Sequence, residues 1–353
     1  MRKILMISVT VAALASCSKD KDPLIIVPPS SGSSLTLDGG NGGASAENSV
    51  YVDFSTDKQT PVKRNSWDLG FYCGSNFRVI LNNTKVAFAK VTNKTDINAV
   101  GVADTSGVQL IFNHASPQPL TSGLIDDLSG DLNKTVIPAI SAADAENKVV
   151  IINRWNDVSD LKDSNFVKVR ILQHGSGYTL QYALLNSSTY KTLEISKNDE
   201  HDFVYASFTT NNVVNVSPAI NDWDIQWGYS TYKTNFGVDV IYPFSDLVTI
   251  NTQGGVQAFQ ALYSDETTAA EAFTKFNKDS VAKYTFSGDR WTIGSNWRLT
   301  VGSGGETAGI RKNRFYIIKD AAGNVYKLKF IAMGVGSDSG ERGKPQIQYE
   351  LIK

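Results

Sequence analysis

One strand pattern occurs twice in this chain and constrains it more than any other feature. Ser66-Trp67-Asp68-Leu69-Gly70-Phe71-Tyr72-Cys73 has a counterpart in Asp222-Trp223-Asp224-Ile225-Gln226-Trp227-Gly228-Tyr229. Apolar side chains stand at every second place, at Trp67, Leu69, Phe71 and Cys73, and at Trp223, Ile225, Trp227 and Tyr229. That is the period of a strand with one face on a core. Its recurrence 156 positions on makes the chain two copies of one unit.

Further segments match in the same order. Tyr51-Val52-Asp53-Phe54-Ser55-Thr56 precedes the first copy of the strand, and Tyr205-Ala206-Ser207-Phe208-Thr209-Thr210 the second. Val150 to Asn153 stands against Tyr316 to Lys319, Val167 to Ile171 against Tyr326 to Phe330, and Leu180 to Leu185 against Ile347 to Ile352. Offsets that drift by a few residues between matched strands are what loop insertions produce. The segments are rich in β-branched and aromatic residues, and Asp320 to Asn324 reads as a hairpin turn. One helix is expected within Asp265 to Asn277, with Thr268 and Glu271 as a capping box. The expectation is an all-β fold, mainly antiparallel with few short helices, in two tandem domains at 51–199 and 200–353.

The amino terminus is of another kind. Arg2 and Lys3 precede an apolar run from Ile4 to Ala15, too short to span a bilayer as a helix. Leu14-Ala15-Ser16-Cys17 resembles a bacterial lipobox, which makes residues 1–17 a lipoprotein signal with Cys17 as the lipidated residue. The charged residues Ser18 to Asp22 resemble a signal for the outer cell surface. Residues 18–50, rich in Ser, Gly, Pro and Asn, read as a tether, with Leu35-Thr36-Leu37 as a first short strand.

Composition narrows the function. A net charge of −1 gives no electrostatic case for nucleic acid. Three His and two Cys leave no room for a Cys/His zinc site. No motif for nucleophilic or metal-assisted hydrolysis is present, so the chain is expected to bind and not to catalyse. Asp126, Asp127 and Asp131 lack the ligand spacing of a calcium loop and read as solvated. Asp68 and Asp224 are expected to face outward, and Cys73 to act as a small buried hydrophobe.

The ordered set Tyr51 to Thr56, Ser66 to Phe71, Lys168 to Leu172 and Tyr178 to Leu185, with Ala322 to Phe330 near the carboxy end, resembles the HmuY family. These are haem-binding surface lipoproteins of the Bacteroidota. The resemblance covers nearly all of 51–353 as two tandem copies. It implies haem or porphyrin binding for iron acquisition beside a TonB-dependent outer-membrane transporter, from a lipid-anchored position on the outer membrane, exposed at the cell surface. The alternative is a different ligand on the same scaffold, such as a glycan, a peptide or a host protein.

Haem iron takes axial ligands such as His, Met or Tyr. The family's haem binders supply two side chains, His or Met, from loops. His114 lies where the copies diverge. His174 and Met333 occupy equivalent places after matched strands, and together suggest a haem edge. The second copy has no His, so a tyrosine such as Tyr229, Tyr232, Tyr242 or Tyr263 is the substitute by type. Trp155, Trp227, Trp291 and Trp297, with Tyr232, are the aromatic candidates for lining a ligand groove.

Overall fold

The computed structural model describes residues 28–155, 165–302 and 307–352. The expected signal sequence and Cys17 lie outside the described residues. Antiparallel sheets dominate, and among the described residues helix is confined to Glu266–Lys275, Lys278–Val281 and short 3-10 turns.

The sheets form two units of the same plan. In the first, a five-stranded sheet has the order Lys191–Ile195, Gly177–Leu184, Phe166–His174, Val150–Asn153, Phe88–Val91. It shares a core with a four-stranded sheet ordered Asn212–Val214, Phe203–Ser207, Leu69–Tyr72, Val79–Leu81. Leu69, Phe71, Val169, Tyr178, Leu180, Ala206 and Phe208 meet there. In the second unit the five strands are Gly32–Thr36, Gln346–Leu351, Val325–Ala332, Arg314–Lys319 and Gln257–Leu262. Its four-stranded sheet is Asp239–Ile250, Ile225–Asn235, Asn48–Asp53, Lys58–Lys63. Its core joins Val50, Val52, Phe54, Ile225, Trp227, Tyr316, Tyr326 and Tyr349.

The units therefore do not coincide with the sequence repeats. The opening hairpin of each copy pairs with the Trp-Asp strand of the other. Val52 stands opposite Ile225, and Val50 opposite Trp227. Reciprocally, Ala206 stands opposite Leu69, and Val204 opposite Phe71. The sheets divide the chain near residues 65 and 217, while the sequence copies meet near 199/200. The first unit is continuous in sequence and lies inserted within the second, which both ends of the chain build together. Both hairpins carry the same alternation and the same backbone donors, so either pairing buries the same faces.

Part of the expected tether is likewise structural. Gly32–Thr36 pairs with Gln346–Leu351, the edge place that Lys191–Ile195 takes beside Gly177–Leu184. Gly32 runs at φ +126, where a Cβ would meet the Tyr349 carbonyl oxygen at 2.4 Å, so only glycine fits there.

Side-chain bonds repeat the reciprocity. Asp68 accepts the backbone N–H of Phe208 at 2.6 Å, and Asp224 that of Phe54 at 2.8 Å. Both aspartates are buried, contrary to the outward orientation expected of them, because each satisfies a backbone donor of the partner copy's hairpin. Their charges are handled differently. Arg154 forms an ion pair with Asp68 at 2.8 Å, offsetting part of the rise that burial imposes on its pKa. Burial pushes Asp224 up to about 8; the Phe54 N–H opposes the rise, and Asp53 and Asp320 add to it.

The helix Glu266–Lys275 is capped by Asp265, not Thr268: the Asp265 carboxylate accepts the Thr268 N–H at 2.9 Å. That bond and those from Ser264 and the Thr268 hydroxyl hold Asp265 down to about 2. Cys73 is only half-buried, its thiol pushed up by burial, and its sulfur faces the Asn198 N–H at 3.5 Å. No helix among the described residues is long and apolar enough to cross a membrane.

Candidate functional site

The two copies differ most in the strand pair that follows the Trp-Asp motif. In the first copy it is short, Leu69–Tyr72 with Val79–Leu81. In the second it is a long hairpin, Ile225–Asn235 with Asp239–Ile250, turning at Phe236-Gly237-Val238. Only Ile225 to Trp227 pair with the Asn48–Asp53 strand. The outer part of the hairpin leans on the first copy's divergent loops. Val240 bridges to Pro119, and the Ile241 N–H donates to the Gln118 carbonyl at 2.8 Å. Ile241 is fully buried among Val86, Phe88, Phe112 and Leu124.

This contact brings His114 of the first copy to Tyr242 of the second. His114 Nδ1 lies 3.2 Å from the Tyr242 hydroxyl. The imidazole also meets Phe112 edge-on at 4.6 Å between centroids. Phe236 contacts Tyr242 at 6.1 Å, and Phe236 and Val238 are 63% and 60% exposed. From Tyr242 an aromatic ridge runs through Phe244 at 5.9 Å and Tyr232 at 5.5 Å to Trp291 at 4.6 Å. Two groups of iron-ligand type, one exposed imidazole and one phenol, thus sit together on an apolar surface. Sequence reasoning had each residue by type but not the pair, because 128 residues separate them.

The ridge ends at a cleft between the two units that is open to solvent. The small sheets face each other there through a reciprocal aromatic set. Tyr51 meets Trp223 edge-on at 5.1 Å, and Tyr205 meets Trp67 edge-on at 4.9 Å. Burial first, with the Asp202 carboxylate adding to it, holds the phenols of Tyr51 and Tyr205 well above their ordinary range. Asp126, at the cleft wall, is half-buried and not the freely solvated carboxylate expected of it. It accepts the N–H groups of Leu81 at 2.7 Å and Val136 at 2.8 Å, and burial pushes it up to about 6 against those bonds.

The remaining candidates are dispersed. Met333 is fully buried in the second unit's core, its N–H donated to Asp338 at 2.7 Å. His174 is exposed at the turn between Phe166–His174 and Gly177–Leu184, with Nδ1 2.5 Å from Glu194. The two do not form an edge, since each belongs to the far sheet of a different unit. Trp297 is buried, stacked on Phe330 at 4.0 Å, with its Nε1 donating to the Asp246 carbonyl at 2.9 Å. Trp227 is likewise a core side chain. Trp155 is half-buried with the Lys85 ammonium over its ring, away from the cleft. These positions correct the groove expected from Trp155 and Trp297: a strand's inward face and its loop exit look alike in composition, and packing alone separates them. Tyr232 does lie on the ridge, beside Trp291. Among the described residues no three His, Cys, Asp or Glu side chains gather to hold a metal ion.

Comparison with known proteins gives one result. The family model described as HmuY protein matches residues 45–179 and 199–349. No curated protein and no solved structure matches the chain. The two matched segments follow the sequence repeats, so each straddles both structural units. Matched twice in tandem over most of its length, this chain belongs to the HmuY family, whose general function is of the haem-binding type.

Proposed function

We propose that this protein is a haem-capturing surface lipoprotein and not an enzyme. It is held at the outer membrane through Cys17 and passes haem to a TonB-dependent transporter. Beyond family membership, one observation carries the reading: His114 and Tyr242 meet on an exposed apolar surface. In the tautomer whose Nδ1 proton is donated to the Tyr242 hydroxyl, Nε2 would carry the free electron pair for iron. Phe236 and Val238 supply an apolar face for a porphyrin ring. Haem takes the role of cargo here, and the chain's own residues orient and shield it.

The test is a haemin titration of the mature protein followed at the Soret band. A saturable shift is expected in the wild type, lost in His114→Ala and altered in position but retained in Tyr242→Phe. A wild type with no saturable shift overturns haem binding. A band that survives His114→Ala overturns the ligation. Replacing Cys17 by Ala is expected to move the protein from the membrane to the soluble fraction, and failure to do so overturns the anchor.

A further inference from the structure

The cleft between the units is built for a ligand of another class. Arg290 lies on its wall with its guanidinium over the Trp291 ring at 5.3 Å. Gly130 is packed so close to that guanidinium that a Cβ there would stand 3.0 Å from Nη1. No carboxylate or carbonyl of the described residues takes a hydrogen bond from it. Yet Asp127 lines the same cleft with one oxygen bound only to Ser129, and Gln253 is exposed at the rim with its amide uncommitted. Asp126, Asp131 and Asp202 line the cleft as well, but each is already held by protein donors, which leaves Arg290 and Asp127 as the uncommitted charged groups, one of each sign.

Apolar surface accompanies them. Trp67, Tyr205 and Trp291 contribute ring edges and faces to the wall. An anion entering beside Arg290 meets the carboxylates of the same wall, and a cation entering beside Asp127 meets Arg290, so either charge finds a like charge on entry. A hydroxyl is both donor and acceptor and satisfies either group. A ring with an apolar C–H face and polar edges fits indole walls of this kind. We infer that the interdomain cleft binds a neutral saccharide, with Arg290, Asp127 and Gln253 on its hydroxyls and Trp291 against its ring.

The site stands apart from His114 and needs both units, because the first unit supplies Asp127 and the second Arg290. The test is tryptophan fluorescence of the mature protein titrated with lactose, maltotriose and chitotriose, and with sodium glucuronate as the charged comparison. Saturable quenching by at least one neutral sugar is expected, unchanged in His114→Ala. It should weaken about tenfold in both Arg290→Gln and the rim variant Gln253→Ala, as loss of a committed polar contact does. Thermal melts of both variants separate lost binding from lost folding, and Gln253, being exposed, carries no core. No saturable change with any neutral sugar overturns the inference. So does quenching that both variants retain, or glucuronate binding more tightly than every neutral sugar.

Discussion

The Asp224 carboxylate accepts the backbone N–H of Phe54 at 2.8 Å, across 170 residues of chain. The first hairpin is thereby fastened to the second copy's Trp-Asp strand. Asp68 and Phe208 make the reciprocal bond. Folding units and repeat units of this protein differ by one hairpin, and consequences for stability follow from that difference.

Residues 66–217 hold both sheets of the first unit and its whole core. Expressed alone, this fragment is expected to melt cooperatively. The fragment 51–199 lacks Phe203–Ser207 and carries an unpartnered hairpin whose Val52 and Phe54 are fully buried in the intact chain. Each such side chain left in water forfeits roughly 1.5–3 kcal/mol, so 51–199 is expected to show no cooperative transition. Circular dichroism melts of the two fragments decide it, and the reverse result would remove the exchanged pairing.

Asp224 and Asp68 are expected to respond oppositely to amidation. The folded pKa of Asp224 is raised to about 8, above the ordinary value of about 4. Between those values the folded protein keeps a proton that the unfolded chain has released, so stability falls as pH rises. Asp224→Asn keeps the acceptor for Phe54 and removes the titration. It should flatten the pH dependence and raise the melting temperature at pH 8. Asp68→Asn instead leaves Arg154 without its carboxylate and should cost about 1–3 kcal/mol at neutral pH. Denaturant titrations at several pH values check both, and equal slopes for wild type and Asp224→Asn would contradict the first.

Arg64 ties the two units at a chain crossing. It is buried, donates to the carbonyls of Ala46, Ser45 and Thr84, and lies 4.8 Å from the Tyr229 ring. Arg64→Met leaves those acceptors dry, at about 1–3 kcal/mol for each one left unsatisfied. Calorimetry is expected to show a lower first transition and a separation into two. A single unchanged transition would show that Arg64 does not couple the units.

Met333 and His174 are expected to be silent toward haemin. Met333→Ala opens a cavity in a closed core and should cost about 2–5 kcal/mol, while leaving the Soret titration of the folded protein unchanged. His174→Ala loses one exposed contact with Glu194, worth about 1 kcal/mol or less. A weaker Soret band in either folded variant would restore the equivalent-position edge as a haem site.

How much was legible in the sequence differs from residue to residue. Alternation at Leu69 and Phe71 is local, and it marked the strand and the side chains it sends to the core, while Trp67 lies before the strand at the cleft and Asp68, between Trp67 and Leu69, is buried as well. The ordered recurrence of such strands marked two copies and an antiparallel β class, and Asp320 to Asn324 marked its own turn. Partner choice is not local. Val52 and Ala206 offer the same backbone bonds to Ile225 and Leu69, so no side-chain pattern says which hairpin joins which strand, and only the packed chain decides. Burial of Met333 against exposure of His174 was hidden for the same reason, since equivalent places in a repeat need not have equivalent surroundings. The meeting of His114 with Tyr242 arises only when the long second-copy hairpin crosses to the first unit, and Asp127 and Arg290 share a cleft only because the two units pack together. The sequence alone thus determined the strands and their number of copies, because a period of two is written residue by residue. The tertiary structure decided the pairing, the interdomain cleft and the candidate ligands, because those depend on contacts between segments more than a hundred residues apart.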